Sequence, residues 1–492
     1  MRRIAIAAAS LLGGCSLIYN PNNLPSVAVD AEPDSPPIDG RALTVDRAAP
    51  SLLLEGQGAS GSRNAILVLT GTNFLSSATV TLAPSMPTQP LPDGGVDAAA
   101  DAPSDAMPDA GGSAGPQINV HDGVTVSADG TLLAVSLDLP VDPLQSSDVP
   151  LDVTVMQDGV MVTLPMATTF RGLPELTDLA QLSNGVADTY SMVAITADWT
   201  PAMVYKLKTT GPLSVGVVKL NGSGQTAGPG GGTGGAAAGN GGGPGGGKAG
   251  GLGGLLGGGG GAGYSSAGTA GGLVGGAGGG VAGDALVSTF ATNSSSGGGG
   301  AGGVGGGGGG SIALIAGGTL SAGAIQAKGG NGTNGGLGDG AGGSGGTVVL
   351  MSGAAVTLAA DPDVSAGTAG ASLGGASSAG RVRITSPTQV CGGLAAPVCS
   401  VGIAFAADAP YITMHANDPI GALAPVGSMI EINALDADGA SEGQTAFTFT
   451  TANAALGPTL QRGYNHVCIY PAAAMITTVE SAVCVDIAYI PQ

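Results

Sequence analysis

At 492 residues the chain is long enough for about three domains, yet only 10% of its residues are charged and 3% are aromatic. The charge is acidic, with 34 Asp and Glu against 14 Lys and Arg and a net charge of −20. Because phosphate binding requires clustered Lys and Arg, nucleic acid is excluded as an expected partner. Glycine supplies 94 residues, and 46 of them lie between residues 221 and 310.

The first predicted element is a signal peptide at residues 1–15. Two arginines precede an apolar stretch at residues 4–12 that is too short to cross a membrane. The segment ends in Leu-Gly-Gly-Cys, which resembles the lipobox of bacterial lipoproteins. This resemblance implies cleavage before Cys15, a diacylglycerol thioether on its sulfur and an acylated N-terminus carrying chains such as palmitate. Several acyl chains give stable anchoring. The alternative is an ordinary signal peptide with a chance cysteine.

A tether is expected next, because residues 16–41 are rich in Pro, Asp and Ala and such a composition favours a disordered, solvated segment. Ser16, rather than aspartate, follows the cysteine. In the enterobacterial lipoprotein pattern this residue implies sorting to the outer membrane. We therefore expect an extracytoplasmic, lipid-anchored protein, in the outer membrane or at the cell surface, whose membrane contact is the acylated Cys15.

Residues 42–170 alternate apolar and polar residues as half-buried β-strands do. Predicted strands at 65–70 and 78–82 flank Gly71-Thr72-Asn73-Phe74, which resembles the G-x-x-F turn of the IPT/TIG immunoglobulin-like family. The resemblance implies a β-sandwich in which Phe74 packs into the core. Residues 84–116 interrupt this module with an Asp-rich segment that has no Lys, Arg or aromatic residue. We predict a disordered acidic insertion there.

Residues 171–385 form the next predicted region, in which a possible short helix near Asp178 is followed by short apolar strands joined by glycine turns. Similar strands start at residues 311, 347 and 381, which are 36 and 34 residues apart. Such self-similarity indicates a stacked, solenoid-like β-repeat. A strand pair near residue 203 lies 108 residues, or three such periods, before 311, and we expect the glycine tract between them to be an overgrown loop set within the solenoid. The pattern resembles the glycine-rich β-repeats of large bacterial surface and adhesin-like proteins, and that resemblance implies a structural or adhesive role.

The glycine tract at residues 221–310 cannot be built from conventional helices or strands. At roughly 0.5–1 kcal/mol for each glycine relative to alanine, its glycines would cost about 20–45 kcal/mol. Two alternatives stay open: a flexible coil, or tightly packed extended chains that exploit the absent Cβ. The few large side chains could plug one side of a solenoid; they are Leu252, Leu255, Leu256, Tyr264, Leu273, Val274, Val281 and Phe290.

Motif-like patterns inside the glycine-rich region carry little weight. Residues 242–248 match a phosphate-binding loop, but Ala249 stands where Ser or Thr must hold magnesium. The Gly-rich segment that ends at Asp339 faintly resembles a calcium-binding repeat and is interpreted as a turn. No nucleotide, metal or other cofactor is therefore expected.

Residues 386–492 regain an ordinary composition and show the strand pattern of a small C-terminal β-sandwich. Four cysteines lie there, and in an exported chain they predict two disulfides with three possible connectivities. We expect the local pairs Cys391–Cys399 and Cys468–Cys484. A Cys₄ metal site is the alternative, but the spacing between these cysteines is too wide for its usual form.

Catalytic chemistry is not expected, because the three histidines (His121, His415 and His466) fall in no metalloprotease or nucleophile-elbow motif. The acidic turn at residues 436–439 with Glu442 is the best calcium-ligand candidate, although such turns are usually only turns. The sequence thus predicts a mainly β, non-catalytic surface protein with a structural or adhesive role, and surface glycans or other surface proteins as possible partners. The alternative is a glycan- or polysaccharide-binding lipoprotein that uses the C-terminal sandwich.

Overall fold

The computed structural model describes residues 42–55, 65–85, 118–121, 123–140, 148–182, 189–250, 257–273, 275–280, 303–388, 391–394, 398–405, 411–471 and 483–492. Strands dominate this part of the chain, so the predicted mainly β fold is confirmed. A single 3-10 turn at Leu179–Leu182 is the helical element of the described residues, where a short helix is predicted. The predictions for Cys15, the signal peptide, the tether and nearly all of the acidic insertion lie outside the described residues.

The first module is a sandwich of two sheets. One sheet has the order β1-β3-β7-β5 with β6 also on β7, and the other has the order β2-β9-β8-β4. Its strands are β1 (Thr44–Ala49), β2 (Leu52–Leu54), β3 (Ala65–Thr72), β4 (Thr79–Pro84), β5 (Asn119–Val120), β6 (Thr125–Val126), β7 (Leu132–Asp138), β8 (Asp148–Gln157) and β9 (Val160–Arg171).

The Gly-x-x-Phe turn connects β3 of one sheet to β4 of the other. Phe74 is 2% exposed and lies in the core that both sheets line. A Cβ at Gly71 would overlap the carbonyl oxygen of Thr44 and approach the Phe74 ring, so only glycine fits that position. Asn73 takes a positive φ of 62°, which asparagine tolerates better than most residues. Phe74 thus anchors the corner of the sandwich, as the sequence predicts.

A parallel β-solenoid follows the sandwich. Its three sheets have the orders β12-β15-β18-β20-β21, β10-β11-β13-β16-β19 and β14-β17. The strands are β10 (Glu175–Leu176), β11 (Met192–Ile195), β12 (Tyr205–Thr209), β13 (Leu213–Val215), β14 (Val218–Lys219), β15 (Ser311–Ala316), β16 (Leu320–Ala322), β17 (Ile325–Gln326), β18 (Thr347–Ser352), β19 (Val356–Leu358), β20 (Arg381–Thr385) and β21 (Cys399–Val401).

The coils of the solenoid stack in register, so inward-facing side chains form columns through its core. One such column consists of Leu207, Leu314, Leu350 and Ile384, each at most 2% exposed. The starts of β15, β18 and β20 pair directly with one another. The spacing of 36 and 34 residues therefore measures the coil length, as the sequence predicts.

The long insertion in the solenoid lies where the sequence predicts it. Tyr205 pairs directly with Ile312, an offset of 107 residues also shared by Ser214 and Ser321. The interval is therefore one coil with a long insertion, and its match to three coil lengths is chance. The parallel pairing also begins before residue 203, at β10 and β11, and continues past residue 385 through β21. The Cys391–Cys399 disulfide consequently lies at the end of the solenoid and not in the C-terminal sandwich.

We use the name glycine array for the described parts of residues 221–310 together with residues 327–346 and 364–380. Along residues 303–311, consecutive backbone N–H groups donate to different neighbouring segments. Every third N–H group donates to the same segment. The donor–acceptor pairs with two neighbours are Gly303–Gly338, Gly306–Ala341 and Gly309–Ser344, and Gly305–Gly235, Gly308–Gly232 and Ser311–Pro229. A period of three is that of the polyproline II helix and differs from the period of two of a strand.

The same three-residue step recurs through the rest of the array. Residues 340, 343 and 346 donate to residues 333, 330 and 327, and residues 260 and 263 donate to residues 248 and 245. The segments approach so closely that a Cβ at Gly306 would overlap the carbonyl oxygen of Gly330, and one at Gly340 that of Val304. Of the two alternatives for the tract, tightly packed extended chains are therefore the one adopted by its described residues.

The two large side chains of the tract that the structure describes differ in their burial. Tyr264 is buried, at 1% exposure, with its hydroxyl hydrogen-bonded to the Thr347 hydroxyl at the start of β18. Leu273, by contrast, is 69% exposed. The remaining six lie outside the described residues.

The C-terminal module is a second sandwich. Its sheets have the orders β22-β24-β27 and β23-β29-β28-β25-β26. The strands are β22 (Ala404–Phe405), β23 (Tyr411–Thr413), β24 (Ile420–Leu423), β25 (Met429–Asp436), β26 (Ser441–Thr448), β27 (Asn453–Leu456), β28 (Gly463–Pro471) and β29 (Val483–Tyr489).

The two sandwiches pack against each other. A small buried cluster joins β3 and β7 of the first to the end of the second; its members are Ile66, Val68, Leu132, Ala134, Ala488 and Ile490. Two ion pairs flank this cluster, Arg47 with Asp438 (Nη1–Oδ2 3.0 Å) and Arg462 with Asp129 (Nη2–Oδ2 2.7 Å). The first and last modules of the described chain are thereby held together by contacts that span almost its whole length.

Replacing Gly306 by alanine tests the glycine array. The new Cβ would meet a backbone oxygen that cannot move without breaking its own segment's hydrogen bonds. We expect the free energy of unfolding to fall by about 1–3 kcal/mol, the usual cost of overpacking, as measured by chemical denaturation. The matched control is Gly336→Ala, where a Cβ meets nothing within 4 Å. There we expect no loss, and a gain of about 0.4–1 kcal/mol at most. Equal effects at the two positions would contradict the packed array.

Candidate functional site

The densest group of chemically versatile side chains lies on β28 and β29 of the C-terminal sandwich. In this antiparallel pair His466 stands opposite Asp486, and Cys468 stands opposite Cys484. Because the two cross-strand pairs are two residues apart, all four side chains share one face of the sheet. His466 Nδ1 lies 2.7 Å from Asp486 Oδ1, and the Tyr464 hydroxyl donates to the same oxygen at 2.7 Å.

The structure joins the cysteines in the local pairs that the sequence analysis expects. Cys391 is bonded to Cys399, and Cys468 to Cys484, with Cα–Cα distances of 6.0 and 4.1 Å. A nitrogen of His466 and the sulfurs of Cys468 and Cys484 all lie within 4.8 Å of one another. The disulfide form offers no thiolate to a metal ion. In this state Cys468 and Cys484 form a structural cross-link beside the His466 imidazole.

Two tyrosine hydroxyls in this module are shielded from water. Burial, and then the negative charge of Asp486, raise the pKa of Tyr464 far above its ordinary value. Burial raises the pKa of Tyr411 to about 12, and the Asp418 charge adds to the effect. Both phenols therefore stay neutral near neutral pH, and the Tyr464 hydroxyl serves as a hydrogen-bond donor that holds the Asp486 carboxylate in place.

The acidic turn proposed as a calcium ligand set is used differently. Asp436 Oδ1 accepts hydrogen bonds from the backbone N–H groups of Asp438 and Ala440, both at 2.9 Å. The Asp438 carboxylate accepts from Arg47 of the first sandwich, which lowers its pKa. The turn is thus organised by its own backbone and by an arginine, and its described carboxylates form a contact between the sandwiches. Nothing is described of the Glu442 side chain.

Aromatic side chains of the C-terminal sandwich do not form an open stacking surface. Phe405 and Phe449 are buried in the core, and Tyr411, Phe447 and Tyr489 pack against it. Tyr464 and Tyr470 are half-buried. Among the described residues of this module no aromatic ring is therefore exposed in the way a sugar-stacking platform requires.

Exposed apolar side chains are concentrated instead on the β8–β9 hairpin of the first sandwich. Met156 and Met161 face each other across the hairpin, at 52% and 69% exposure, and the same hairpin carries Val160 and Met166 at 39% and 70%. Methionine is a flexible, polarizable side chain that recurs at adaptable binding surfaces. We call the facing pair Met156 and Met161 the methionine patch. The sequence pattern of β9 does not reveal it, because the patch depends on which sheet face stays uncovered.

The motif-like glycine segments belong to the array. The Lys248 N–H donates to the Ala277 carbonyl within packed extended chains, and no helix follows it among the described residues. Asp339 is buried at 6% exposure, and its carboxylate accepts from the N–H groups of Gly335 and Leu373. Asp339 thus closes the turn between two array segments, consistent with its interpretation as a turn.

The other two histidines stand apart from this group. His121 Nε2 lies 2.9 Å from Asp138 Oδ1, with both side chains more than 40% exposed. The His415 backbone N–H donates to the Thr413 hydroxyl. Each histidine thus has a local structural contact, and the fold does not gather the three into one site.

Alkaline titration tests the Tyr464–Asp486 contact. The folded pKa of Tyr464 lies above the unfolded value of about 10, so its contribution to stability is complete below that pH. It is lost as pH rises further, because the unfolded chain releases the proton first. In Tyr464→Phe we expect the unfolding free energy to fall less steeply above about pH 10, by up to about 1.4 kcal/mol for each pH unit. Chemical denaturation at about pH 9 and about pH 11 measures this, and unchanged slopes would contradict it.

Comparisons with known proteins leave the chain without a relative to argue from. No helix in the described part of the chain is both long and apolar enough to cross a bilayer. No protein-family model, no curated protein and no solved structure matches this chain. Its function has to be inferred from its own residues.

Proposed function

We propose that this chain is a lipid-anchored extracytoplasmic surface protein with a structural or adhesive, non-catalytic role. The membrane contact is the acylated Cys15 of the Leu-Gly-Gly-Cys segment, in the outer membrane or at the cell surface. The first sandwich is an IPT/TIG-like module, an assignment supported by Gly71 and by the buried Phe74 at its corner. Other surface proteins or surface glycans are its partners.

The packed glycine array is the observation that carries this proposal. A linker that only separates two domains needs no internal hydrogen bonds, and glycine-rich linkers behave as random coils. Here the insertion donates and accepts hydrogen bonds with the hairpins of the two coils that follow it, for example from Gly306 to Ala341 and from Gly375 to Gly259. The described part of the insertion is therefore a rigid extension of the solenoid, and a rigid extension suits the presentation of a surface.

A surface with few charges favours the adhesive form of this role. The array consists mostly of glycine, so its outer segments expose backbone groups and small residues. The methionine patch adds an apolar surface on a separate module. Both features favour contact with protein or carbohydrate surfaces over binding of a small charged ligand.

The glycan-binding alternative through the C-terminal sandwich has weaker support. Such binding draws on aromatic rings that stack against sugars, and five of the described aromatic residues of this module pack into or against its core. Glycan recognition by the array through backbone groups is compatible with the adhesive role.

Membrane fractionation of a Cys15→Ala variant tests the anchor. We expect the wild-type chain in the membrane fraction and the variant in the soluble extracytoplasmic fraction, because removing the acylated sulfur removes the apolar area that holds the chain to the bilayer. Cys391→Ala is the matched control, and it should stay with the membranes. A Cys15→Ala chain that also stays there would refute the lipid anchor.

An exchange of loops tests the role of the array. Residues 221–310 can be replaced by residues 328–346, the connection between β17 and β18, because the flanking residues of the two segments are in register. We expect this variant to fold and to reach the cell surface, but to lose adhesion of cells to a protein-coated or glycan-coated surface.

A Gly336→Ala chain provides the control for adhesion, and a cooperative thermal transition shows that the exchange variant is folded. Full adhesion by a folded, surface-exposed exchange variant would contradict an adhesive function of the array. If the exchange variant and the Gly336→Ala chain bind the same immobilised glycans, the result would favour the glycan-binding alternative.

A further inference from the structure

We propose that reduction of the Cys468–Cys484 disulfide turns the group on β28 and β29 into a metal site, in which both thiolates and the His466 imidazole bind a thiophilic ion such as Zn²⁺. The described residues contain one group of three or more His, Cys, Asp and Glu ligand atoms placed closely enough for an ion, and it is this one. The site is independent of the surface role proposed above.

The geometry requires little movement. The three ligand atoms lie within 4.8 Å of one another, whereas ligands about 2.0–2.3 Å from a tetrahedral zinc ion stand about 3.5–3.8 Å apart. Breaking the S–S bond lets the two sulfurs separate to that distance while the strands keep their register. Cys468 is 2% exposed and the His466 side chain is 42% exposed. An ion would therefore enter from the histidine side, where water can fill the fourth position.

The surroundings of His466 match those of a metal-binding histidine. The 2.7 Å contact with the Asp486 carboxylate engages Nδ1 of His466. Nε2 is therefore the ring nitrogen left for an ion. Tyr464 donates to the same carboxylate and fixes it. A carboxylate that orients a histidine in this way is the usual outer partner in zinc sites, and a disulfide alone has no need of it.

The chemical steps balance with a thiol as the co-reactant. Two molecules of a small thiol supply two electrons and two protons, the Cys468–Cys484 bond breaks to give two cysteine thiols, and the reductant leaves as its own disulfide. The metal ion then displaces the two thiol protons, since thiolates are the ligands that zinc binds. Oxidation reverses the process and releases the ion.

Cobalt and zinc binding to the reduced full chain tests the site. The starting protein carries Cys15→Ser, Cys391→Ser and Cys399→Ser, so that Cys468 and Cys484 are its remaining cysteines. Once reduced and freed of reductant without air, it should bind one Co²⁺ with a sulfur-to-cobalt charge-transfer band, and Zn²⁺ should displace the cobalt. The oxidised protein should show no such band. Asp486→Asn should lower the affinity about 10–100-fold, and His466→Ala at least as much.

Two controls separate a site from nonspecific uptake and from unfolding. A chain with Cys15→Ser, Cys468→Ser and Cys484→Ser keeps the other two cysteines and should give no histidine-dependent band when reduced. Zinc should also raise the melting temperature of the reduced starting protein and leave the oxidised one unchanged. The proposal is overturned if the reduced starting protein takes up no more metal than the oxidised one. It is equally overturned if His466→Ala binds with unchanged affinity, or if reduction unfolds the chain and zinc does not restore it.

Discussion

Hydrogen bonding between backbones that carry no Cβ is the constraint on which this structure depends. In the glycine array each extended segment donates in turn to different neighbours, with a three-residue period. The neighbours are so close that a single methyl group at Gly306 or Gly340 would overlap a carbonyl oxygen. A composition that excludes conventional helices and strands is therefore compatible with dense packing. The entropy lost in ordering glycine is offset by backbone hydrogen bonds and close contact, and not by the burial of large side chains.

The solenoid supplies the template for this packing. The coils that begin at β12, β15 and β18 leave the solenoid after their third side, run out through glycine-rich segments, and re-enter at the next long strand. In the coil between β14 and β15 this excursion has grown to 90 residues, 221–310. Because the shorter hairpins after β17 and β19 lie in register beside it, the long excursion has ready partners for its backbone groups. Large side chains stay inside the solenoid, in columns such as that of Leu314 and Leu350.

Much of this fold could be predicted from local patterns. The alternation of strands, the coil length read from residues 311, 347 and 381, the buried Phe74 and the local disulfides all depend on residues close together in the chain. The threefold packing could not be predicted, because a run of glycines has no side-chain periodicity to read. The single long coil could be predicted, because similar strands flank the tract on both sides, near residues 203 and 311, and these strands pair directly.

Long-range contacts also limit how much of the candidate sites could be predicted from the sequence. The acidic turn at Asp438 reads as a ligand loop until Arg47, 391 residues earlier, is placed against it. His466 and Cys468 show their alternation on one strand, but Asp486 and Cys484 join them only through the register of β28 with β29. The aromatic residues of the C-terminal module are sparse, which already weakens a sugar-binding role in the sequence, and the fold places five of them in or against the core.

Amide hydrogen exchange across residues 303–311 tests the central claim most directly. These N–H groups have no partner within their own segment and are protected only if the neighbouring segments hold their places. The packed array predicts protection comparable to that of β15 and β18, which lie beside it. Exchange of these amides at the rate of an unstructured glycine chain, while β15 and β18 stay protected, would contradict the account.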